Sequence, residues 1–276
     1  MDSKISRRGF LRETSRIAAA AGAWTAGLLG KACRPKKEFE LLIKNGCIVD
    51  LEGARDIYKD VAINRGRIQK IDRVPSSKAA SVIDAKGKFI LPGLCDLHVH
   101  LTDKHFLPLF LQNGVTCVRD VGNDPDFILP LRHAVNTGEL LGPKIFAAGP
   151  ILNNRKIPFG ASFYTHVIKT PDQAKSSVSD LAGRSVDWIK IYISLPQNIV
   201  RTRLQEAAKH QLPVAGHLRR VNARFAARWG IKTLEHTTGI AEALLTDRNF
   251  EDAPPNQTIS NRAWLHVDRK RYRGLI

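Results

Sequence analysis

Cysteine is scarce. The four residues at positions 33, 47, 95 and 117 have neither the CxxC spacing of a metal knuckle nor the density of a disulfide scaffold. Internal repeats and low-complexity tracts are missing, which excludes solenoids, collagen and coiled coils. The apolar run from Ile17 to Leu29 is thirteen residues long, too short to span a bilayer. What remains is 276 residues at 43 % hydrophobic and 25 % charged, an ordinary globular composition with room for one large domain or two modest ones. The net charge of +17 would by itself suggest nucleic acid, but its distribution argues otherwise. Residues 1–38 carry nine basic and three acidic side chains, and residues 262–276 carry five basic and one acidic. The middle of the chain keeps a thin excess with no platform of interleaved aromatic and basic residues, so no nucleic-acid partner is expected.

The amino-terminal residues read as an address. Ser6-Arg7-Arg8-Gly9-Phe10-Leu11-Arg12, the alanine-rich run and the basic residues Lys31 to Lys37 follow the order of a secretory signal peptide. The stretch resembles a bacterial twin-arginine signal through Arg7 and Arg8, with Arg12 in place of the usual lysine. That resemblance implies the twin-arginine export machinery as a partner and a periplasmic location. The alternative is a basic amphipathic helix. Lys31 before Cys33 makes a poor lipoprotein box, so a lipid anchor at Cys33 is the lesser expectation.

Residues 1–37 are therefore set aside as a signal, and residues 38–87 read as a small β domain of β-sandwich-like type. Its runs are Glu40 to Lys44, Cys47 to Val49, Val61 to Asn64 and Arg67 to Ile71, with alternation that predicts half-buried strands in hairpins. About 45 residues bury little apolar surface, so these strands are expected to need further strands from elsewhere. From residue 88 to 253 apolar strands alternate with helical stretches, the pattern of β/α units on a parallel sheet. Six strands are expected: Phe89 to His100, Val115 to Val121, Lys144 to Ala148, Trp188 to Ile193, Pro213 to His217 and Lys232 to His236. Helices are expected over Phe106 to Asn113 and Val200 to Gln211. Residues 254–276 form a basic, irregular tail.

His98 and His100 lie at the end of the first long strand, two apart, so both imidazoles point the same way and could grip one ion. Solvent-facing or core histidines are the bland alternative. His217 and His236 each end a later strand, and the carboxyl ends of parallel barrel strands converge on one face. The other five histidines (His105, His133, His166, His210 and His266) read as surface or helix residues. Lys190 sits within the apolar strand Trp188-Ile189-Lys190-Ile191-Tyr192, where an ammonium must neutralise, pair or be modified. As a carbamate it would bridge two ions; as an outward snorkelling side chain it would do nothing chemical.

Leu91-Pro92-Gly93-Leu94-Cys95-Asp96-Leu97-His98-Val99-His100 and Gly114-Val115-Thr116-Cys117-Val118-Arg119-Asp120-Val121-Gly122 resemble the metal-dependent amidohydrolase superfamily, in its imidazolonepropionase-like and prolidase-like branch. The resemblance runs from Phe39 to about Leu245. It implies an α/β fold, a TIM-type (β/α) barrel that hydrolyses C–N bonds of small amide or peptide substrates. It also implies two divalent ions, usually zinc: His98, His100 and carboxylated Lys190 around one, Lys190, His217 and His236 around the other. The lysine points to the prolidase-like members, since imidazolonepropionase works with one ion and no bridging lysine. The resemblance further implies an aspartate ending an eighth strand as ligand and proton shuttle. No such residue is found; Asp268 lacks the strand and the glycine-rich lead, and Asp247 and Asp252 fall too early. The catalytic acid/base is thus unassigned. The expectation is an incomplete barrel of about six of eight strands, cut short near Ala253, with a non-catalytic remnant that still binds metal or ligand as the rival reading.

Overall fold

The computed structural model describes residues 37–51, 53, 55–157 and 164–245. Arg7, Arg8, Cys33 and the basic tail lie outside the described residues, and so do Asp247, Asp252, His266 and Asp268. The chain forms two compact units that divide between Leu91 and Pro92. No helix among the described residues is long and apolar enough to cross a membrane.

In the first unit, β1 (Phe39–Lys44) pairs antiparallel with β3 (Asp60–Asn64), which forms a hairpin with β4 (Arg67–Asp72). Arg65 and Gly66 turn the hairpin with φ of 50° and 67°, the left-handed pair that suits strand twist. β5 (Ala79–Asp84) adds to the other side of β1 in parallel, a strand the sequence reading did not anticipate. β2 (Cys47–Ile48) and β6 (Phe89–Ile90) form a separate parallel ladder. Phe39, Leu42, Ala62, Val74 and Ala79 make the small core. The expected half-burial of Arg67 to Ile71 fails: β4 is an edge strand, with Ile68 61 % and Ile71 44 % exposed within this structure.

In the second unit, β7 (Leu94–Val99), β8 (Val115–Asp120) and β9 (Lys144–Ala147) run parallel in that order. Helices α1 (Leu107–Gln112) and α2 (Pro125–Asn136) connect them. A second parallel sheet has the order β11 (Thr165–Val167), β10 (Ile151–Asn153), β12 (Ile189–Ile191), β13 (Val214–Gly216), β14 (Thr233–Leu234). Its connections include α3 (Pro171–Gly183), α4 (Gln197–Lys209) and α5 (Ala223–Arg228), and α6 (Ile240–Leu245) follows β14. The two sheets are tied where Ala147 O accepts from the backbone of Asp187 at 2.8 Å while Asp187 Oδ2 accepts from Ala147 N at 2.8 Å.

Local chemistry explains the helix starts. Thr170 and Gln173 form a capping box over Pro171 at the start of α3, and Asp124 caps α2 ahead of Pro125. On α4 the buried positions Ile199, Val200, Arg203, Leu204 and Ala207 fall on one helical stripe. That stripe joins Ile189, Ile191, Val178 and Val214 in the larger core, while Val118, Ile128, Leu131 and Ile145 fill a second one.

Two expected strands change and two more appear. The run Phe89 to His100 breaks at Leu91-Pro92-Gly93, because proline cannot donate to a ladder and the chain passes there from one unit to the next. Residues 151–153 and 165–167 are additional strands whose short length gave no periodic signal. Lys232 to His236 shortens to Thr233–Leu234, because the backbone turns left-handed at His236.

Candidate active site

The five residues singled out in the sequence share one cavity of about 350 Å³, lined by His98, His100, Ile151, Ile157, Lys190, Tyr192, His217 and His236. Strand geometry places them: His98 is in β7 and His100 just beyond it, Lys190 is central in β12, and His217 and His236 follow β13 and β14. The rings form a chain, with centroids 5.5 Å apart for His98 and His100, 4.4 Å for His98 and His236, and 4.8 Å for His217 and His236. Tyr192 extends it, 4.7 Å edge-to-face from His217. His105, His133, His166 and His210 do not line this cavity.

Two partners orient the first pair. His100 Nδ1 lies 3.1 Å from the carbonyl oxygen of Gly122; a carbonyl only accepts, so Nδ1 carries the proton. Gly122 must be glycine for that approach, since a Cβ there would meet Ile151 Cγ1 at 2.4 Å and His100 Cε1 at 3.0 Å. His98 Nδ1 lies 2.5 Å from Glu235 Oε2. Burial alone would raise the Glu235 pKa, yet the His98 hydrogen bond, Lys190, Thr233 and Arg119 together hold it down at about 2. Glu235 is then an ionised acceptor and His98 Nδ1 the donor. Asp120, buried with its pKa raised by desolvation, accepts from the backbone of Leu101 at 2.7 Å and Gly122 at 3.1 Å, fixing the loop that follows His100.

The cavity favours uncharged imidazole. Burial, reinforced by His236 and Lys190, lowers His217 to about 3, and burial likewise lowers His100 and His236. Neutral imidazole is the form that binds metal. Lys190 is 1 % exposed, and its Nζ has no hydrogen-bond partner among the described residues. Desolvation pulls its pKa from 10.5 to about 8, against the opposing pull of Glu235.

Among the described residues no three His, Cys, Asp or Glu side chains converge as a ready metal-binding group. The histidines alone therefore do not make the site. The Lys190 amine in the same cavity could supply what they lack: converted to a carbamate, it would be an anionic oxygen donor beside the four imidazoles. The residues fit a metal centre in that form. Sequence reasoning missed Glu235, Arg119 and Tyr192. Glu235 precedes His236 directly and Arg119 sits in the quoted Val118-Arg119-Asp120 motif, so a charge within an apolar strand was the available signal for the latter.

Lys190 yields a pH test. Its folded pKa is below its unfolded one, so between about 8 and 10.5 the unfolded chain binds more protons and stability rises with pH. The penalty, on the order of 3 kcal/mol, is fully present below pH 8. In metal-free, CO₂-free buffer, urea unfolding should find Lys190→Met more stable than wild type at pH 7, with the gap closing towards pH 10.5. A gap that does not vary with pH would show that the amine is not buried uncompensated.

No family model matches the chain. Over 84 residues it is 40 % identical to an adenine deaminase of Listeria innocua, a stretch covering 29 % of this chain and 14 % of that protein. Over 64 residues it is 39 % identical to a dihydroorotase of Aquifex aeolicus, covering 23 % of this chain and 15 % of the other. A solved Xaa-Pro dipeptidase with bound methionine in its active site superposes with a TM-score of 0.64 at 21 % identity, over 74 % of this chain and 64 % of that one. A prolidase complexed with N-methylphosphonate-L-proline gives 0.62 at 23 %, over 74 % and 62 %. The matched stretches thus span about one seventh of the curated relatives and under two thirds of the solved chains. The solved structures show the fold, an α/β arrangement with parallel strands that this chain shares with them.

Proposed function

We propose that this chain hydrolyses carbon–nitrogen bonds of small amide or peptide substrates in the cavity around Lys190, using two divalent ions, with zinc the expected metal. The observation that carries the reading is the buried Lys190 Nζ, without a hydrogen-bond partner among the described residues, in one cavity with four histidines. His98, His100 and Lys190 would hold one ion, and Lys190, His217 and His236 the other. Bound ions of this kind supply a hydroxide near neutral pH and polarise a scissile carbonyl.

The chain's own residues account for the rest. With a pKa near 8, a sizeable fraction of Lys190 is the neutral amine near physiological pH, so its nitrogen can bond to the carbon of CO₂ and release one proton. The resulting carbamate is anionic, which removes the repulsion a bare ammonium would exert on cations. Gly122 O and Glu235 hold the Nδ1–H of His100 and His98, which leaves Nε2 as the lone-pair nitrogen of each ring. Ile151 and Ile157 wall the cavity with apolar surface that excludes water from a bound substrate. The volume suits a small ligand.

A second reading, binding of metal or ligand without turnover, is favoured by one observation. The described lining of the cavity contains no carboxylate to carry a proton from water to a leaving nitrogen, and Glu235 is already engaged by His98 and Arg119. The full chain, loaded with zinc in bicarbonate buffer, should hydrolyse dipeptides or acyl amides slowly, and His98→Ala should lower that rate by about 10² or more. Zinc-loaded protein with no turnover on either substrate class would favour the binding reading.

Export through the twin-arginine route is part of the same proposal and rests on Arg7 and Arg8 within the Ser6-Arg7-Arg8-Gly9-Phe10-Leu11-Arg12 stretch and the apolar run after it. Fractionated cells should show the wild type in the periplasm and Arg7→Lys/Arg8→Lys retained inside. Equal periplasmic amounts of both would contradict it.

A further inference from the structure

Neighbouring residues of an extended strand point to opposite faces, so Glu235 and His236 should not reach the same partner. They do. Glu235 Oε2 is 2.5 Å from His98 Nδ1, and the His236 ring is centred 4.4 Å from the His98 ring. The backbone makes this geometry available. β14 stops at Leu234, and His236 and Thr237 then take φ of 55° and 54°, two consecutive left-handed residues of which the second is β-branched. Such a conformation persists only where surrounding contacts over-determine it. Here Thr238 Oγ1 donates to Glu235 O at 2.7 Å and accepts from Leu218 N at 3.0 Å, and Thr238 N also donates to Glu235 O at 3.1 Å.

The other side of the Glu235 carboxylate is equally fixed. Oε1 accepts from Arg119 Nη2 at 2.8 Å and from Thr233 Oγ1 at 2.8 Å. Arg119 cannot swing away: its Nε donates to Leu97 O at 2.7 Å, its Nη1 to Thr233 Oγ1 at 3.1 Å, and its guanidinium lies 4.4 Å over the Trp188 ring. Leu97 is the residue before His98, so one arginine braces both the carboxylate and the strand that carries its imidazole partner.

We infer that Glu235, braced by Arg119, is a positioning residue that locks His98 as its Nδ1-protonated tautomer with the Nε2 lone pair left for a ligand, and that the left-handed turn at His236 and Thr237 lets the same segment deliver His236 beside it. The value of this device for catalysis rests on the metal-hydrolase reading; the tautomer does not. The arrangement makes an unusual demand on a conservative substitution. With Arg119 and Thr233 both donating to one side, the amide of Glu235→Gln must turn its oxygen to them and its NH₂ to His98. The ring then has to accept at Nδ1 and carry its proton on Nε2, presenting N–H where the wild type presents a lone pair.

The test uses the full chain labelled with ¹⁵N-histidine, stripped of metal at pH 8, with His98 assigned by the signal lost in His98→Gln. Wild type should show the Nδ1-protonated form, Glu235→Gln the Nε2-protonated form, and Arg119→Lys, which keeps the carboxylate, the wild-type form. Zinc affinity measured on the same proteins should fall about 10–100-fold in Glu235→Gln and much less in Arg119→Lys. An Nε2-protonated His98 in wild type would overturn the inference, as would a folded Glu235→Gln that retains the wild-type tautomer. Tautomers as expected with no zinc bound by any of the proteins would uphold the positioning role and overturn the metal-hydrolase reading instead.

Discussion

An amine buried in the middle of a parallel strand, with no group among the described residues to receive its hydrogen bonds, is the constraint on which the rest of this molecule turns. Lys190 has β10 on one side and β13 on the other, with Ile151 and Ala215 as its register partners, and is 1 % exposed. Leaving a polar group in that position is costly unless something is gained by it. The surroundings are consistent with a gain. Four imidazoles converge on the same cavity, three of them with pKa values lowered by burial, and Glu235, the anion whose charge acts on the amine, pairs with Arg119 and His98 instead.

The fold supplies this convergence through the common direction of its strands. Parallel strands present their carboxyl ends on one side, and the residues at or beyond those ends in β7, β13 and β14 meet there although they are far apart in sequence. Buried cores on α1, α2, α3 and α4 hold the strands in register, while glycine at position 122 and left-handed backbone at 236–237 provide the close approaches that regular strands would forbid. The orienting partners then come from neighbouring elements: Gly122 from the loop after β8, Glu235 from the turn after β14.

Much of this was legible in the sequence because it depends on local pattern. Alternation and apolar runs place five of the parallel strands to within a residue or two, and strand-end logic gathers His98, His100, His217 and His236, with Lys190 joined to them by the family resemblance. What escaped was non-local. Whether Arg67 to Ile71 is half-buried depends on what packs on an edge strand, and Ile68 and Ile71 are exposed. The apolar pattern from Phe89 to His100 runs through Pro92, where a missing donor ends the ladder. Glu235 carries no signature of its own, because its importance comes from an arginine 116 positions away and from a backbone turn that alternation rules do not contain. The same turn is the reason that His236, expected at a strand end, lies two residues beyond it.

The central claim is that Lys190 and the four histidines form one centre for two ions. Crystals of the full chain grown with zinc and bicarbonate, measured for anomalous scattering at the zinc edge, address it directly. The account predicts two peaks flanking a carboxylated Lys190, one beside His98 and His100 and the other beside His217 and His236. Unmodified Lys190 with no anomalous density in the cavity would contradict it.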